Sequence, residues 1–287
     1  MKHTLQTLAL ATVALFGTAS TAGASCMSDI DAAALVANYL AKTPAANPEN
    51  LSTADGECSR TKVNKFLVQQ TGGKVVGYKA GLTNPAVQKR FNASAPVWGV
   101  LYAPMLLGNG AVVDARFGTR PLFEADMLVR VADAGINKAS TPAQVLQHID
   151  QVIPFIELPD LVVQAPGKLN GAGIAAINVG ARLGVVGTPL PVQRTQAFSN
   201  ALRDMVVVVN GDGKELDRGK GADVLEHPLN AVVWLAQDLS RHGIRLKKGD
   251  LISLGSFSKL MPPQPGLSVE VVYQGLPGNP SAKVSFK

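Results

Sequence analysis

Phe123-Glu124-Ala125-Asp126-Met127-Leu128-Val129 sets two acids two positions apart inside an otherwise apolar, strand-prone run. Successive side chains on a strand point to opposite faces, so Glu124 and Asp126 project together while Phe123, Ala125 and Met127 project the other way. Like charges held that close raise each other's proton affinity unless a cation neutralises them, and a divalent metal is a natural resident. A solvated strand face is the other reading of this heptapeptide. A third acid, Glu157, lies in the apolar Ile153-Pro154-Phe155-Ile156-Glu157-Leu158-Pro159 and favours the cation, because a charge in such a segment either faces water or has a partner. Three carboxylates with no cysteine or clustered histidine indicate a hard ion, Mg2+ or Mn2+, and not zinc.

Upstream, Gly77-Tyr78-Lys79-Ala80-Gly81-Leu82-Thr83 puts Lys79 at a strand end between glycines that permit close backbone approach. Lys79 is therefore the candidate to hold an anionic substrate, with a solvated strand-end lysine as the plainer alternative. Short apolar runs bounded by Gly, Pro or Asn predict strands over residues 74–79, 99–102, 111–113 and 122–131. Before them, capping residues and apolar spacing predict helices from Ser28 or Asp29 to before Pro44 and over about 53–70, the second stopped by Gly72-Gly73. After them come a helix start at Ser140-Thr141-Pro142, a hairpin about Asn210-Gly211-Asp212-Gly213, a helix from Pro228 to His242, and strands near 250–254 and 268–273. This mixed order argues against a doubly wound or barrel arrangement of alternating strands and helices.

Residues 1–24 carry a basic start (Lys2, His3), an apolar run from Leu5 to Phe16 and a small-residue cleavage site at Ala22-Gly23-Ala24, the pattern of a cleaved secretory signal. A run of about a dozen residues is well short of the roughly 20 that span a bilayer, so no membrane span is expected. Cleavage would leave Cys26 near the new N-terminus, but Gly23 stands where a lipoprotein signal usually carries Leu; a soluble periplasmic or secreted protein is expected ahead of one lipidated at Cys26. The signal takes one lysine and no acid from 27 basic and 21 acidic residues, leaving a net charge of about +5 spread without runs, which gives no support to a nucleic-acid partner. In an oxidising compartment Cys26 and Cys58, the two cysteines of the chain, can pair or stay free.

Other motifs fail on context. Gly171-Ala172-Gly173-Ile174-Ala175-Ala176 matches a dinucleotide-binding pattern, but the segment before it is polar and interrupted by Pro and Gly, not a buried strand. Ser256, in Gly255-Ser256-Phe257-Ser258, has no identifiable base and reads as a hydrogen-bonding loop residue. His148, His227 and His242 occur singly at helix positions or ends and are expected to pack or cap.

The segments Gly77–Thr83, Gly99-Val100-Leu101 with Met105, Glu124-Ala125-Asp126, Pro154–Glu157, His227–Ala231 with Trp234-Leu235-Ala236, Gly249-Asp250 and Gly255-Ser256 together resemble the 2-keto-4-pentenoate hydratases of the fumarylacetoacetase superfamily, in order and spacing, from about Asp29 to the C-terminus. The resemblance implies an α+β fold in which a mixed β-sandwich roll, expected over 106–287, follows a small N-terminal helical part over 25–105. It implies a Mg2+ or Mn2+ ion held by Glu124, Asp126 and Glu157, with a 2-oxo acid chelating that ion. It implies Lys79 as the catalytic residue near the substrate, and Leu101, Gly255 and Ser256 as pocket-lining residues. A homo-oligomer is also implied.

Three departures from the hydratases stand in the chain. Asp126 is one methylene shorter than their Glu, so the site must contract or bridge through water. Val97 replaces an acid that could shuttle protons. Ala176-Ile177-Asn178 lacks the Asp that commonly precedes that Asn, and Leu254 replaces a Thr. The hydratases are also normally cytoplasmic. Three activities follow: hydration of a 2-oxo-4-enoate, decarboxylation of a 2-oxo-enedioate or hydrolysis of an acylpyruvate by the same enolate strategy, and keto-acid binding without turnover.

Overall fold

The computed structural model describes residues 25–287; the expected signal segment and its cleavage site lie outside the described residues. Two helices open the fold. α1 (Asp29–Ala41) is capped by the Ser28 side chain, which accepts from the Asp31 N–H. α2 (Thr53–Thr71) carries a reciprocal box in which Ser52 and Asp55 satisfy each other's backbone donors, and it stops at Gly72 in the left-handed conformation. Cys26 and Cys58 are joined in a disulfide that ties the segment before α1 to α2.

The strands and remaining helices follow as β1 (Val75–Gly81), α3 (Pro85–Arg90), β2 (Val97–Tyr102), β3 (Leu106–Gly108), β4 (Ala111–Val113), β5 (Glu124–Val131), α4 (Pro142–Gln147), β6 (Ile149–Leu158), α5 (Gly171–Ala176), β7 (Leu183–Val186), β8 (Leu190–Pro191), α6 (Gln196–Asp204), β9 (Val206–Gly211), β10 (Lys214–Lys220), α7 (Leu229–Arg241), β11 (Leu251–Ser253), β12 (Ser268–Gln274) and β13 (Ser281–Phe286). They form two sheets. The larger runs β2-β1-β11-β5-β6-β7-β3, with β8 added beside β6; the smaller runs β10-β9-β12-β13-β4. Both are mixed, since β1 with β11, β3 with β7 and β13 with β4 pair in parallel and their other neighbours antiparallel. The expected α+β class with curled mixed sheets is the observed one.

The larger sheet curls, so that side chains from distant strands meet on its concave face. Leu101, Leu128, Ile153 and Phe155 form a buried apolar cluster there, separate from the main core and flanked by Val76, Leu106, Val186 and Leu251. The main core lies on the other face, beneath α7, whose Leu229, Val232, Leu235, Ala236 and Leu239 are buried, and between the two sheets. β6 is buried along nearly its whole length and contains Pro154, which has no N–H for the ladder. Pro154 turns its backbone to the β7 side, where its carbonyl accepts from the Gly187 N–H, while on the β5 side the Phe155 N–H donates to the Tyr273 hydroxyl of β12 at 3.2 Å, so the smaller sheet reaches into the β5–β6 ladder.

The boundary expected at residue 105 falls between β2 and β3, both strands of the larger sheet. The segment Lys74–Lys79 and its partner strand are thus part of the body that holds the acids, while α1 and α2 form the helical layer. β3, β6, β7, β8, β13, α3, α5 and α6 are not among the expected elements, although α6 is amphipathic, with Phe198 and Leu202 buried one turn apart. Gly171–Ala176 is the short helix α5, packed on α2 and preceded by a turn, not by a strand.

Candidate functional site

The three acids converge at one end of the concave face. Glu124 on β5 and Glu157 on β6 are directly opposite partners in an antiparallel ladder, and Asp126 is opposite Phe155, which places all three carboxylates on the same side of the sheet. Asp126 and Glu157 are buried, whereas Glu124 at the start of its strand keeps some contact with solvent. β1 reaches the same end through β11, with Lys79 beside Ser253 in the parallel register. The Lys79 ammonium, itself buried, bonds to Glu157 Oε1 and donates to the Val179 carbonyl at 2.9 Å.

Asp126 is held more tightly than the other two acids. Its Oδ1 accepts from the N–H groups of Met127 at 2.5 Å, Leu254 at 3.1 Å and Gly255 at 3.1 Å, and its Oδ2 from the Ser253 hydroxyl at 2.5 Å. The Tyr273 hydroxyl donates to the Asp126 backbone carbonyl. This side chain therefore pins the turn after β11 to β5. Gly255 sits in that turn at φ +101°, a region closed to other residues, and a Cβ there would collide with the Thr83 hydroxyl. Ser256 follows, its hydroxyl donating to the Ser258 carbonyl at 2.6 Å close to Glu124.

Burial sets the electrostatics. Loss of hydration, with the neighbouring Glu157 charge second, pushes the Glu124 carboxyl well above the ordinary range; Lys79 and the Ser256 hydroxyl pull the other way without prevailing. The same two causes carry Asp126 up to about 7 against the donors from Ser253 and Met127. With all three acids ionised, the one ammonium would leave two negative charges uncompensated in a poorly hydrated site, which is why two of the carboxyls are raised. A divalent cation supplies the missing charge, and the donor set, all oxygen, suits a hard ion. Glu124 and Glu157 each have an oxygen with no protein donor, whereas Asp126 has only the remaining capacity of Oδ2, in keeping with the shorter side chain expected to contract the site or bridge through water.

Each residue singled out in the sequence can be placed. Glu124, Asp126 and Glu157 share one face of the sheet without each bringing an oxygen within 4.8 Å of the other two, and with Lys79, Gly255 and Ser256 they lie in one neighbourhood. Leu101 shares the concave face but is packed among Leu128, Ile153 and Phe155, a floor under the acids. Tyr273 and Ser253 went unnoticed in the sequence, since neither lies within a charged motif. Val179 also escaped notice, because a contribution made by a backbone carbonyl leaves no side-chain signature.

The histidines pair or cap. His148 Nδ1 lies 2.9 Å from Asp133, and His227 Nδ1 accepts from the Leu229 N–H at the start of α7. His242 joins Glu57 and Asp238 in a His/Asp/Glu group on the opposite face of the sheet. There the Trp98 indole N–H donates to Asp238 at 2.7 Å, Arg241 pairs with its other oxygen, and Arg60 stacks 3.4 Å above the Trp98 ring. With both oxygens of Asp238 already engaged and two guanidinium groups nearby, this is an ion-pair brace between α2, β2 and α7.

Comparison with known proteins places the fold and the family. The fold is that of the fumarylacetoacetate hydrolase proteins: a member of that family from Yersinia pestis CO92 superposes with a TM-score of 0.54 at 14% identity, covering 73% of this chain and 92% of that one. The 4-oxalocrotonate decarboxylase from Pseudomonas putida G7, solved with magnesium and adipate, superposes with a TM-score of 0.79 at 25% identity, over 91% of this chain and 99% of its own. The 2-keto-4-pentenoate hydratase of Burkholderia vietnamiensis (strain G4 / LMG 22486) is 32% identical over 202 residues, 70% of this chain and 74% of that protein. No protein-family profile matches the chain. The chain belongs to the family of the 2-keto-4-pentenoate hydratases and 4-oxalocrotonate decarboxylases.

Proposed function

We propose that the chain is a divalent-metal-dependent lyase that adds water to a 2-oxo-4-enoate by way of an enolate. The observation that carries this reading is the group of three acids and one lysine gathered on one face of β1, β5 and β6, short of balance by two positive charges. Glu124 and Glu157 would hold the ion, with Asp126 contributing through Oδ2 or a water. When bound, the ion supplies the positive charge against which electron density gathers at the keto oxygen. Lys79 has three N–H donors, of which Glu157 and Val179 take two; the third is free for the substrate carboxylate. The Gly255-Ser256 turn, fixed by Asp126, closes the site beside Glu124. Val97 brings no acid, so Lys79 Nζ and the Ser256 hydroxyl are the groups at hand to hold or pass a proton.

Calorimetric titration of Mg2+ and Mn2+, with oxalate as a chelating mimic, tests the site. Wild type should bind with a defined stoichiometry and Glu124→Ala should not. Turnover of 2-oxopent-4-enoate with metal, lost by at least about a hundredfold in the variant, completes the case; wild type that binds neither metal nor oxalate sinks it. Decarboxylation of a 2-oxo-enedioate is the second reading, favoured by the likeness to the 4-oxalocrotonate decarboxylase over nearly its full length, and parallel assays of the two substrates decide between them. Metal-dependent oxalate binding without turnover of either would instead favour a binding protein.

The chain is further proposed to act after export, in the periplasm or outside the cell. The Cys26–Cys58 disulfide supports this, as such bonds persist in oxidising compartments. It also engages the sulfur that a lipid anchor would need. Cell fractionation of the full chain, with alkylation to count free thiols, tests both points. The homo-oligomer expectation rests on the resemblance and is open to test by sedimentation.

A further inference from the structure

Asn178, Val179 and Gly180 form a turn in which all three residues have positive φ, at 55°, 54° and 64°. For Asn and Gly this is tolerable, but a β-branched residue in the left-handed region is a genuine outlier that costs on the order of 1–3 kcal/mol and persists only where its surroundings impose it. What Val179 presents from this conformation is its carbonyl, which accepts from Lys79 Nζ at 2.9 Å. The turn is held from two sides. From β2, the Val100 N–H donates to Asn178 Oδ1 at 2.8 Å and Asn178 Nδ2 returns a bond to the Val100 carbonyl at 3.0 Å. From the helical layer, Asn64 of α2 donates through Nδ2 to the same Asn178 Oδ1 at 3.1 Å.

Asn64 contributes this bond at a local cost, because its own Oδ1 is buried with no protein partner. A strained Val179, whose side chain is buried in the main core, and an unsatisfied Asn64 acceptor are adjacent links leading from α2 to Lys79. Space is equally constrained: a Cβ on Gly99, opposite Lys79 in the ladder, would lie 2.6 Å from the Asn178 carbonyl oxygen. Both local costs are explained if the turn must stay in this one conformation to aim the ammonium.

We propose that Asn64 is a positioning residue: through Asn178 and the strained Val179 carbonyl it fixes the direction of the Lys79 ammonium, making the N-terminal helical layer part of the active site. The role in turnover rests on the lyase reading above; the role in orienting Lys79 does not.

Two variants of matched size test it. Asn64→Leu removes the donor, and Asn64→Asp sets an acceptor against Asn178 Oδ1 while keeping the shape, so a space-filling role makes Asp the milder change and a donor role makes it at least as severe. The direct readout is the rate at which Lys79 is acetylated by acetic anhydride, followed by peptide mass spectrometry against the exposed Lys65 in the same sample. Lys79 labelling should rise about tenfold in both variants, the scale of one lost bond to a charged group, and kcat for the 2-oxo acid should fall by a similar factor with Mn2+ binding retained. Labelling within twofold of wild type in both variants overturns the proposal. If labelling rises but wild type turns over no 2-oxo acid, the positioning stands and the lyase reading fails. Thermal unfolding confirms that each variant is folded, and should one not fold the other carries the test.

Discussion

Two ends of one sheet face obey different physics. At one end of β5 and β6 the concave face carries Glu124, Asp126 and Glu157; Phe155, opposite Asp126, begins an apolar stretch that continues with the paired Leu128 and Ile153. Backbone and register are continuous. The apolar end is stabilised by removal of surface from water, about 2 kcal/mol for each large side chain, with no partner required. The charged end loses hydration on burial and is tolerable only through Lys79, the donors about Asp126 and, as proposed, a cation. The apolar floor makes the charged end useful, because it excludes water that would otherwise screen the ion and the ammonium.

The comparison breaks most visibly at Phe155, buried at 1% exposure. Phe155→Ala should cost about 3–5 kcal/mol in chemical denaturation, equally with and without Mg2+ and at any pH from 5 to 8. A loss that Mg2+ repairs would mean that the floor is part of the metal site.

At the charged end, Lys79→Met leaves Glu157 without its cation. It should cost about 3 kcal/mol in the metal-free protein and markedly less at saturating Mg2+. Equal losses in the two conditions would show that the ion does not share this charge.

The raised acids give the charged end a pH signature. A carboxyl held at about 7 in the fold, against 3.8 when unfolded, keeps its proton in the native state after the unfolded chain has released it. Its contribution is therefore greatest below about 4 and lost as the pH rises through 7. Asp126→Asn keeps the three N–H bonds to Oδ1 and can donate to Ser253, so the metal-free variant should unfold with a flatter dependence across that window and be the more stable protein at pH 8. A steeper fall in the variant would show that the charge on Asp126 is stabilising.

The smallest effect is expected at Ser253. Ser253→Ala removes one bond to a carboxylate and should cost about 1–2 kcal/mol, with a modest loss of metal affinity as the Asp126 side chain loosens. No change in affinity would separate Asp126 from the ion altogether.

Much of the charged end was legible in the order of residues alone. Period two made Glu124 and Asp126 share a face, and the apolar setting of Glu157 demanded a partner. Lys79 was marked by its glycines, which let β1 lie close to β11. Capping residues gave α1 and α2 nearly to the residue, and Pro and Gly bounded α7. β3, β6, β7, β8 and β13 were not legible, since a strand's stability depends on its neighbours on the sheet more than on its own composition. Leu101, expected to line the pocket, lies in the apolar cluster of the same face: an apolar residue near a site motif can line the pocket or floor it, and the curl of the sheet decides which.

By itself the sequence determined the local elements and the kinds of charge this protein would have to bury, since both follow from side-chain chemistry and spacing along the chain. Only the tertiary structure decided how those charges are answered. It set Glu157 opposite Glu124, brought Ser253 and the Gly255 turn onto Asp126, inserted the Tyr273 hydroxyl between Asp126 and Phe155, and aimed the Val179 carbonyl at Lys79. Each of these joins residues far apart in the chain through bonds made largely by backbone groups, which every residue possesses and no sequence pattern marks.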